Sequence, residues 1–508
     1  MITKNLKQEM TVIKKDGSIE KQREGILVRP HCRLSEAQVR LVDEVSRQLL
    51  EDPGLLSSDG TLVKIFQKTG AKTEDAGSGI RIRIPPNVID NALESAPSRI
   101  VLGARNPDNR LIIDAKEPRV RFGTGAEANF WLETDYIENE CRFNRKNGSI
   151  DLLGRAAHLA EHLENLDFFI RCVNIQDEKI SGANKDVNMF FVCLNNITKH
   201  IQAGLTDLDA FDNIVSMGEI AAGGRESFWK EPLLSLITCV VKSPLQFIND
   251  TVLKLIEISK RKIPVVISSC AMAGTTGPFD EFGMVAQINA EVLAGVALNQ
   301  IISPGAPVFY GAVPVRTRLD NLNDMYGTPE FNHYNLDCAQ MARFYNLPCY
   351  STANASDATM PGIQATMEKM LTLAVVPQGG AQYIHYAFGL LGSNTFSPEQ
   401  AVLDDAHIGI VKQMFKEPNV STSRADHVLG LIREVMASDH RTFMYHLPLP
   451  SRDAVYTHYP FENGDGNNLH AAHKRYEQIM NIPRSHLPDE ALAEIRAKLP
   501  SILPKAFI

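Results

Sequence analysis

The 508-residue sequence predicts an α/β fold: a (β/α)8 TIM barrel with an N-terminal α+β cap and a mainly helical C-terminal extension. Three observations carry this. From residue 120 onward, short continuous apolar runs alternate with amphipathic stretches, the pattern of parallel strands covered on their outer face by helices. There are about eight such units, the number that closes a barrel. The composition, 44% hydrophobic and 22% charged, supplies a large core.

Taken in order, residues 1–28 read as a mobile extension. Residues 29–119 form the cap. Ser35 is placed to N-cap a helix in SEAQVRLVDEVSRQLLED, whose apolar positions recur at helical spacing. RIRIPPNVIDNALESAP reads as a strand, a Pro-Pro start and a helix, and RIVLGARNPDNRLIID as a hairpin. Residues 120–395 form the barrel. Its strand candidates are VRFGTG (120–125), FFIRCVNI (168–175), HIQAGL (200–205), LSLITCVV (234–241), PVVISSC (264–270), PVFYGAV (307–313), PCYSTAN (348–354) and YIHYAFG (383–389), with amphipathic helices between them. Residues 396–508 are mainly helical and hold a His-rich irregular stretch with His440, His446, His458, His470 and His473. The rival is a doubly wound open sheet. FGTGAEAN offers Gly123, Gly125 and Ala128 as a G-x-G-x-x-A loop, but no acidic residue follows at the end of a clear second strand.

The net charge of −8 and the absence of a Lys/Arg stripe argue against a nucleic-acid partner. The opening MITKNLKQEMTVIKKDGS has no apolar secretory core, and no apolar run reaches the ~18 residues of a membrane helix. The eight cysteines are scattered without a CxxC pair, which points to reduced thiols and a cytoplasmic location.

Barrel chemistry sits at strand C-termini. That rule selects Gly125, Glu127, Asn174, Gln176, Ser268, Ser269, Tyr310, Gly311, Ser351–Asp357 and His385–Phe388. The set is polar and aromatic and lacks the cationic clamps of a phosphate site. No HExxH, paired HxC or clustered carboxylates mark a metal, so none is expected, and surface or packing roles account for the histidines. There is no GxSxG elbow. Cys270 and Cys349 lie near strand ends, where cysteine usually packs as a small hydrophobe. Phe130, Trp131, Tyr310, Phe331, Tyr334, Tyr350, Tyr386 and Phe388 read either as core or, as a group, as a cage for a quaternary ammonium.

Several long stretches resemble the trimethylamine methyltransferase family, in its members without pyrrolysine. They are RIRIPPNVIDNALESAPSRIVLGARNP, VRFGTGAEANFWLET, LDFFIRCVNIQD, PVVISSCAMAGTTGPFDEFGMVAQINAEVLAGVALNQIISPGAPVFYGAV, GTPEFNHYNLDCAQMARFYNLPCYSTANASDATMPGIQATMEKML and IHYAFGLL. The resemblance runs from about Arg29 to about Asp439, and MYHLPLPSRDAVYTHYPFENGDG departs from it.

The resemblance implies a (β/α)8 barrel that moves a methyl group from a quaternary amine, such as glycine betaine, to the Co(I) centre of a separate corrinoid protein. It implies no permanently bound cofactor, the cobalamin being supplied by that partner. A neutral tertiary amine is a poor methyl donor without activation. A quaternary ammonium already departs as a neutral amine and needs no general acid. The work left to the protein is orientation and desolvation. The expected substrate-binding residues are Glu127 and Asp357 for the cation, Arg316 or His385 (with Arg318) for a betaine carboxylate, and Trp131, Asn174, Tyr310, Phe331, Tyr350, Asn354 and Phe388 for the walls. The position equivalent to pyrrolysine falls among the later strand ends. Helical outer faces also suit a homo-oligomer. A metal-dependent barrel methyltransferase or lyase and a non-catalytic quaternary-amine-binding protein remain as alternatives.

Overall fold

The computed structural model describes residues 12–13, 19–20, 22–125, 127–137, 140–178, 180–445, 468–499 and 501–503. Most of the expected 1–28 extension, and His446 and His458 of the His-rich stretch, lie outside the described residues.

Eight parallel strands carry the architecture: β1 (Arg119–Phe122), β2 (Phe168–Ile170), β3 (His200–Gly204), β4 (Leu234–Thr238), β5 (Val265–Ser269), β6 (Val308–Ala312), β7 (Cys349–Thr352) and β8 (Tyr383–His385). Each falls inside one of the apolar runs expected to be a strand, except that β1 starts one residue earlier, at Arg119. They hydrogen-bond in the order β2-β3-β4-β5-β6-β7-β8-β1, and Ile26–Leu27 adds a ninth, antiparallel strand on β1. The fold is thus mixed α/β around one curled nine-stranded sheet.

The curl returns β1 to β2. Beyond its parallel ladder with β8, β1 ends at Gly123, which forms a parallel bridge with Phe168. The Asp167 amide donates to the Phe122 carbonyl at 2.6 Å, and the Phe122 amide donates to Asp167 Oδ2 at 3.0 Å. Thr124 Oγ1 accepts from the Ile170 amide at 2.7 Å and donates to the Ile170 carbonyl. Only glycine fits at 123, because a Cβ there would fall 2.0 Å from the Phe168 ring.

Each strand leads to a helix on the outer face: α1 (Ile150–His162), α2 (Gly182–Leu194), α3 (Phe211–Ala221), α4 (Asn249–Lys260), α5 (Glu281–Ile302), α6 (Pro329–Phe344), α7 (Ile363–Val375) and α8 (Pro398–Met414). Helix α5 is long and apolar enough to cross a membrane, but 89% of its most apolar window is buried within the protein. The cap helix Glu36–Glu51, with a capping box between Ser35 and Gln38, packs on it. Ser46 Oγ donates to the Ala286 carbonyl and accepts from Asn289 Nδ2, so the two apolar faces meet around a satisfied polar pair.

Inside the curl, Phe168, Ile170, Val266, Phe309, Tyr350 and Tyr383 pack against Ile100, Leu102, Leu111 and Ile113 of the hairpin Arg99–Leu102/Leu111–Asp114. That hairpin plugs the end where the strands begin. His200, at the start of β3, confirms the placement through a 2.8 Å contact with the Gly103 carbonyl and one of 2.8 Å with Ser235 Oγ. Burial lowers its pKa from 6.5 to about 4, so the ring is neutral.

A second hairpin, Phe130–Ile137 with Glu140–Asn147, was not expected. Its sequence, FWLETDYIENECRFNRKN, lacks both clean alternation and a Gly-containing turn. Past α8 the described chain is helical, through Thr422–Ala437, Asn468–Met480 and Asp489–Lys498.

Two outcomes test this reading. Gly123→Ala should lower the denaturant midpoint by the equivalent of about 1–3 kcal/mol, since the Phe168 ring has nowhere to go; an unchanged midpoint would show that the β1–β2 contact is loose. Thermal stability should fall as pH drops from 6.5 toward 4, because unfolded His200 protonates first, and the fall should be shallower in His200→Gln.

Candidate functional site

The strands are uniformly parallel, so their C-terminal ends gather on one side. Ile237 in β4, which packs against the internal cluster, remains partly accessible there, and Cys270, directly after β5, is exposed. A strand-interior residue open to water marks the floor of a recess. Around it stand Glu127, Cys239, Asp324, Tyr326, Tyr350, His385 and Tyr386. Burial raises the pKa of Tyr386, and charge on Cys270, Glu127, Cys239 and Asp324 raises it further, which puts all four within electrostatic reach of one hydroxyl.

The aromatic wall is continuous. Tyr350 stacks on His385 at 4.2 Å, His385 lies 4.0 Å from Tyr386, Tyr386 meets Tyr326 edge-on at 6.1 Å, and Tyr326 meets Phe331 at 5.6 Å. Tyr350 points inward because it alternates with Ser351, whose hydroxyl donates outward to Asn335 Oδ1. Burial holds His385 well below its ordinary pKa and so neutral. Its Nε2 lies 2.6 Å from Thr352 Oγ1, which in turn lies 3.3 Å from the Ala312 carbonyl. The chain of bonds is satisfied if Nε2 carries the proton and the threonine donates to the carbonyl. Gly125, with φ +150°, lets the first loop pass over this ring, where a Cβ would come 3.1 Å from His385 Nδ1.

Two carboxylates face the recess differently. Glu127 is 38% exposed and binds Arg171 Nη2 at 2.6 Å; Arg171, 7% exposed, lies 3.7 Å from Asp186. Burial opposes the arginine's charge, but these acids outweigh it and raise its pKa. Asp186 is fully buried and also accepts from the Thr206 and Asp207 amides, so of the three only Glu127 reaches the rim, with its charge held by Arg171. Asp324, half-buried, has its pKa raised by burial alone, and no cation compensates it among the described residues. Its position is set by a small β-arm in which Thr317 pairs with Asp324 and Arg316 with Met325.

The remaining expected residues are spread over several places. Asp357 does not reach inward as a free carboxylate. Its oxygens accept from the Tyr326 and Gly327 amides at 2.6 and 3.1 Å, so it positions the loop that carries Tyr326. Phe331 supports the same tyrosine from behind. Arg316 stacks on Phe279 at 4.9 Å and pairs with Glu330 at the rim, and Arg318 pairs with Asp320. Tyr310 lies between sheet and helices, its hydroxyl donating to Asn289 in α5 at 3.0 Å, because Phe309 takes the inward position. Trp131 packs on Phe396 at 4.9 Å in the second hairpin, and Phe388 on the same ring at 5.1 Å. Asn174 bonds Asn129 at 3.0 Å below that hairpin. Asn354, fully buried with φ +60°, has both side-chain polar atoms unpartnered.

Sequence reasoning passed over Asp324, Tyr326 and Cys239. The first two sit in the long loop after β6, where attention fell on the arginines; an aspartate two residues from a tyrosine in a strand-end loop was the available signal. Two clefts lie elsewhere: one of about 330 Å³ against the cap, and one of about 640 Å³ between the second hairpin and Asn468–Met480. Neither contains the groups of the recess, and of the expected substrate-binding residues only Trp131 lines one of them, the second. No three or more His, Cys, Asp or Glu residues gather as a metal site among the described residues.

The comparisons with known proteins converge on one family. A family model described as trimethylamine methyltransferase (MTTB) matches residues 13–446. The chain is 28% identical over 474 residues to the trimethylamine methyltransferase MttB of Desulfitobacterium hafniense (strain DSM 10664 / DCB-2), covering 92% of each. It is 30% identical over 382 residues to the trimethylamine methyltransferase MttB1 of Methanosarcina mazei, covering 74% of each. It is 26% identical over 490 residues to the glycine betaine methyltransferase of Desulfitobacterium hafniense (strain Y51), covering 94% of this chain and 98% of that protein. The model spans most of the chain, strand-end recess included, and the chain belongs to the trimethylamine methyltransferase (MTTB) family.

Proposed function

We propose that this methyltransferase takes a methyl group from a quaternary amine, glycine betaine or a related betaine, and delivers it to the Co(I) of a separate corrinoid protein in the cytoplasm. The observation that carries the proposal is the recess itself: an aromatic wall of Tyr326, Tyr350, His385 and Tyr386 around Asp324, a carboxylate with no cation paired to it among the described residues. Aromatic faces and an uncompensated carboxylate are what a desolvated quaternary ammonium needs. The likeness to the glycine betaine methyltransferase and the standard residue at every position support the same class of donor. Eight free thiols suit a reducing compartment. The β1–β2 bridge supports reading the curled sheet as a closed (β/α)8 barrel, which puts the recess where such barrels work.

When the partner docks, its Co(I) supplies the electron pair that takes the methyl group, and the C–N electrons leave with the amine. The residues of this chain do the rest. Asp324 and the rings hold the cation and exclude water. Asp357 fixes the loop that aligns Tyr326. No proton is needed, which agrees with a neutral His385 and with tyrosines whose raised pKa values keep them protonated. The mouth suits a large partner: Phe279, Leu319, Leu322, Met360 and Ile363, all on strand-end loops or the start of α7, are exposed around it.

The test is incubation with cob(I)alamin and a panel of quaternary amines. Demethylated amine and methylated cobalamin are expected together from at least one; neither, from any, would refute the proposal. Asp324→Asn should lower kcat/KM for the active amine about 10- to 100-fold. For the parent protein, KM should rise as pH falls through the raised Asp324 pKa, above the usual aspartate range, and that rise should vanish in Asp324→Asn.

A further inference from the structure

Cys239 and Cys270 follow directly on neighbouring strands β4 and β5, whose register pairs Thr238 with Ile267. Their sulfurs lie 3.5 Å apart as a hydrogen-bonded thiol pair. Cys270 is exposed in the recess and Cys239 is partly buried, whereas Cys172, Cys193, Cys338 and Cys349 are buried. No other described pair joins such proximity to solvent access. We infer that Cys239 and Cys270 are a reversible dithiol–disulfide modification site in the wall of the recess, taking small-molecule disulfides as its oxidant.

The chemistry balances without further reagents. Cys270, as thiolate, attacks one sulfur of a disulfide RSSR, forming a mixed disulfide and releasing RS⁻. Cys239 loses its proton and attacks Cys270 Sγ, forming the internal bond and releasing the second RS⁻. Two thiols are oxidised, one external disulfide is reduced, and the two protons end on the RS⁻ groups as RSH. Cys270 is the more exposed of the two and takes the attacking role; when Cys239 is the donor in their hydrogen bond, that bond favours the Cys270 thiolate and lowers its pKa. Closing 3.5 Å to the ~2.05 Å of a disulfide requires movement at two strand ends rather than a refolded loop. Both sulfurs lie within electrostatic reach of Tyr386 and Tyr350, so the bond would reshape the wall against which the amine is held. That consequence rests on the function proposed above; the disulfide itself does not.

The experiment treats the full-length protein with glutathione disulfide, alkylates free thiols with iodoacetamide, and maps peptides by mass spectrometry. The expected result is a Cys239–Cys270 crosslink that dithiothreitol removes, with exposed Cys32 carrying at most a mixed disulfide. Recovery of both cysteines as alkylated thiols, or a stable glutathione adduct on Cys270 beside a free Cys239, would overturn the inference. In Cys239→Ser the mixed disulfide should be trapped on Cys270; its absence in folded variant would overturn the attacking role. A parallel thermal-shift titration with glycine betaine and choline should show the shift lost on oxidation and restored on reduction; a shift equal in both states would overturn the effect on the recess. If the crosslink forms while the reduced protein shows no shift with either amine, the amine reading fails and the thiol site stands.

Discussion

Where β1 leaves the sheet, Gly123 lies against the Phe168 ring with no room for a side chain. That contact, with Thr124 bonded to both backbone groups of Ile170, brings β1 against β2 while β1 still pairs with β8. Everything that matters for chemistry depends on the return. It curls the sheet so that strand ends face a shared recess, and it sets the first loop, with Glu127, within reach of the last, with Tyr386. The hairpin Arg99–Leu102/Leu111–Asp114 fills the opposite end with apolar side chains, so that volume opens on one side only.

Desolvation then sorts the groups. Some ions held deep in the protein are paired, Lys369 with Asp404 at 3.1 Å and Arg171 with Glu127 and Asp186, whereas Arg121, Lys199 and Glu291 are held by hydrogen bonds to neutral groups. Titratable rings in the wall are neutral, His385 because burial lowers its pKa and Tyr386 because burial raises its own. Asp324 bears the cost of burial with no cation paired to it among the described residues. A buried charge left uncompensated is costly, and binding a cation relieves that cost. The same environment suits the proposed donor, which leaves as a neutral amine, since no acid has to be maintained within it.

The barrel-like core was legible in the sequence because buried parallel strands are continuous apolar runs. VVISS, VFYGA and CYST stand out against the helices around them, and each became a strand. The hairpin at Phe130–Ile137 was not legible, since it is held by pairing with Thr395 and Phe396 and by the Trp131–Phe396 ring contact rather than by its own alternation. At the site, position along a strand proved a coarser guide than parity. Tyr310 and Tyr350 read alike in sequence, yet one faces α5 and the other the recess, because Phe309 and Tyr350 hold the inward register. Asp357 and Asp324 read alike as loop acids, but only the packed loop shows that the first is consumed by the Tyr326 and Gly327 amides.

The central claim is that the recess recognises positive charge on a methylated nitrogen and not its shape alone. Choline and its neutral carbon isostere 3,3-dimethylbutan-1-ol have the same outline and differ in that charge. Titration calorimetry of both ligands into the reduced protein separates the two contributions. The account predicts that the cation binds at least about tenfold more tightly, the worth of a cation–π contact and a facing carboxylate, and that Asp324→Asn narrows the gap. Equal affinities, or tighter binding of the neutral alcohol, would contradict it.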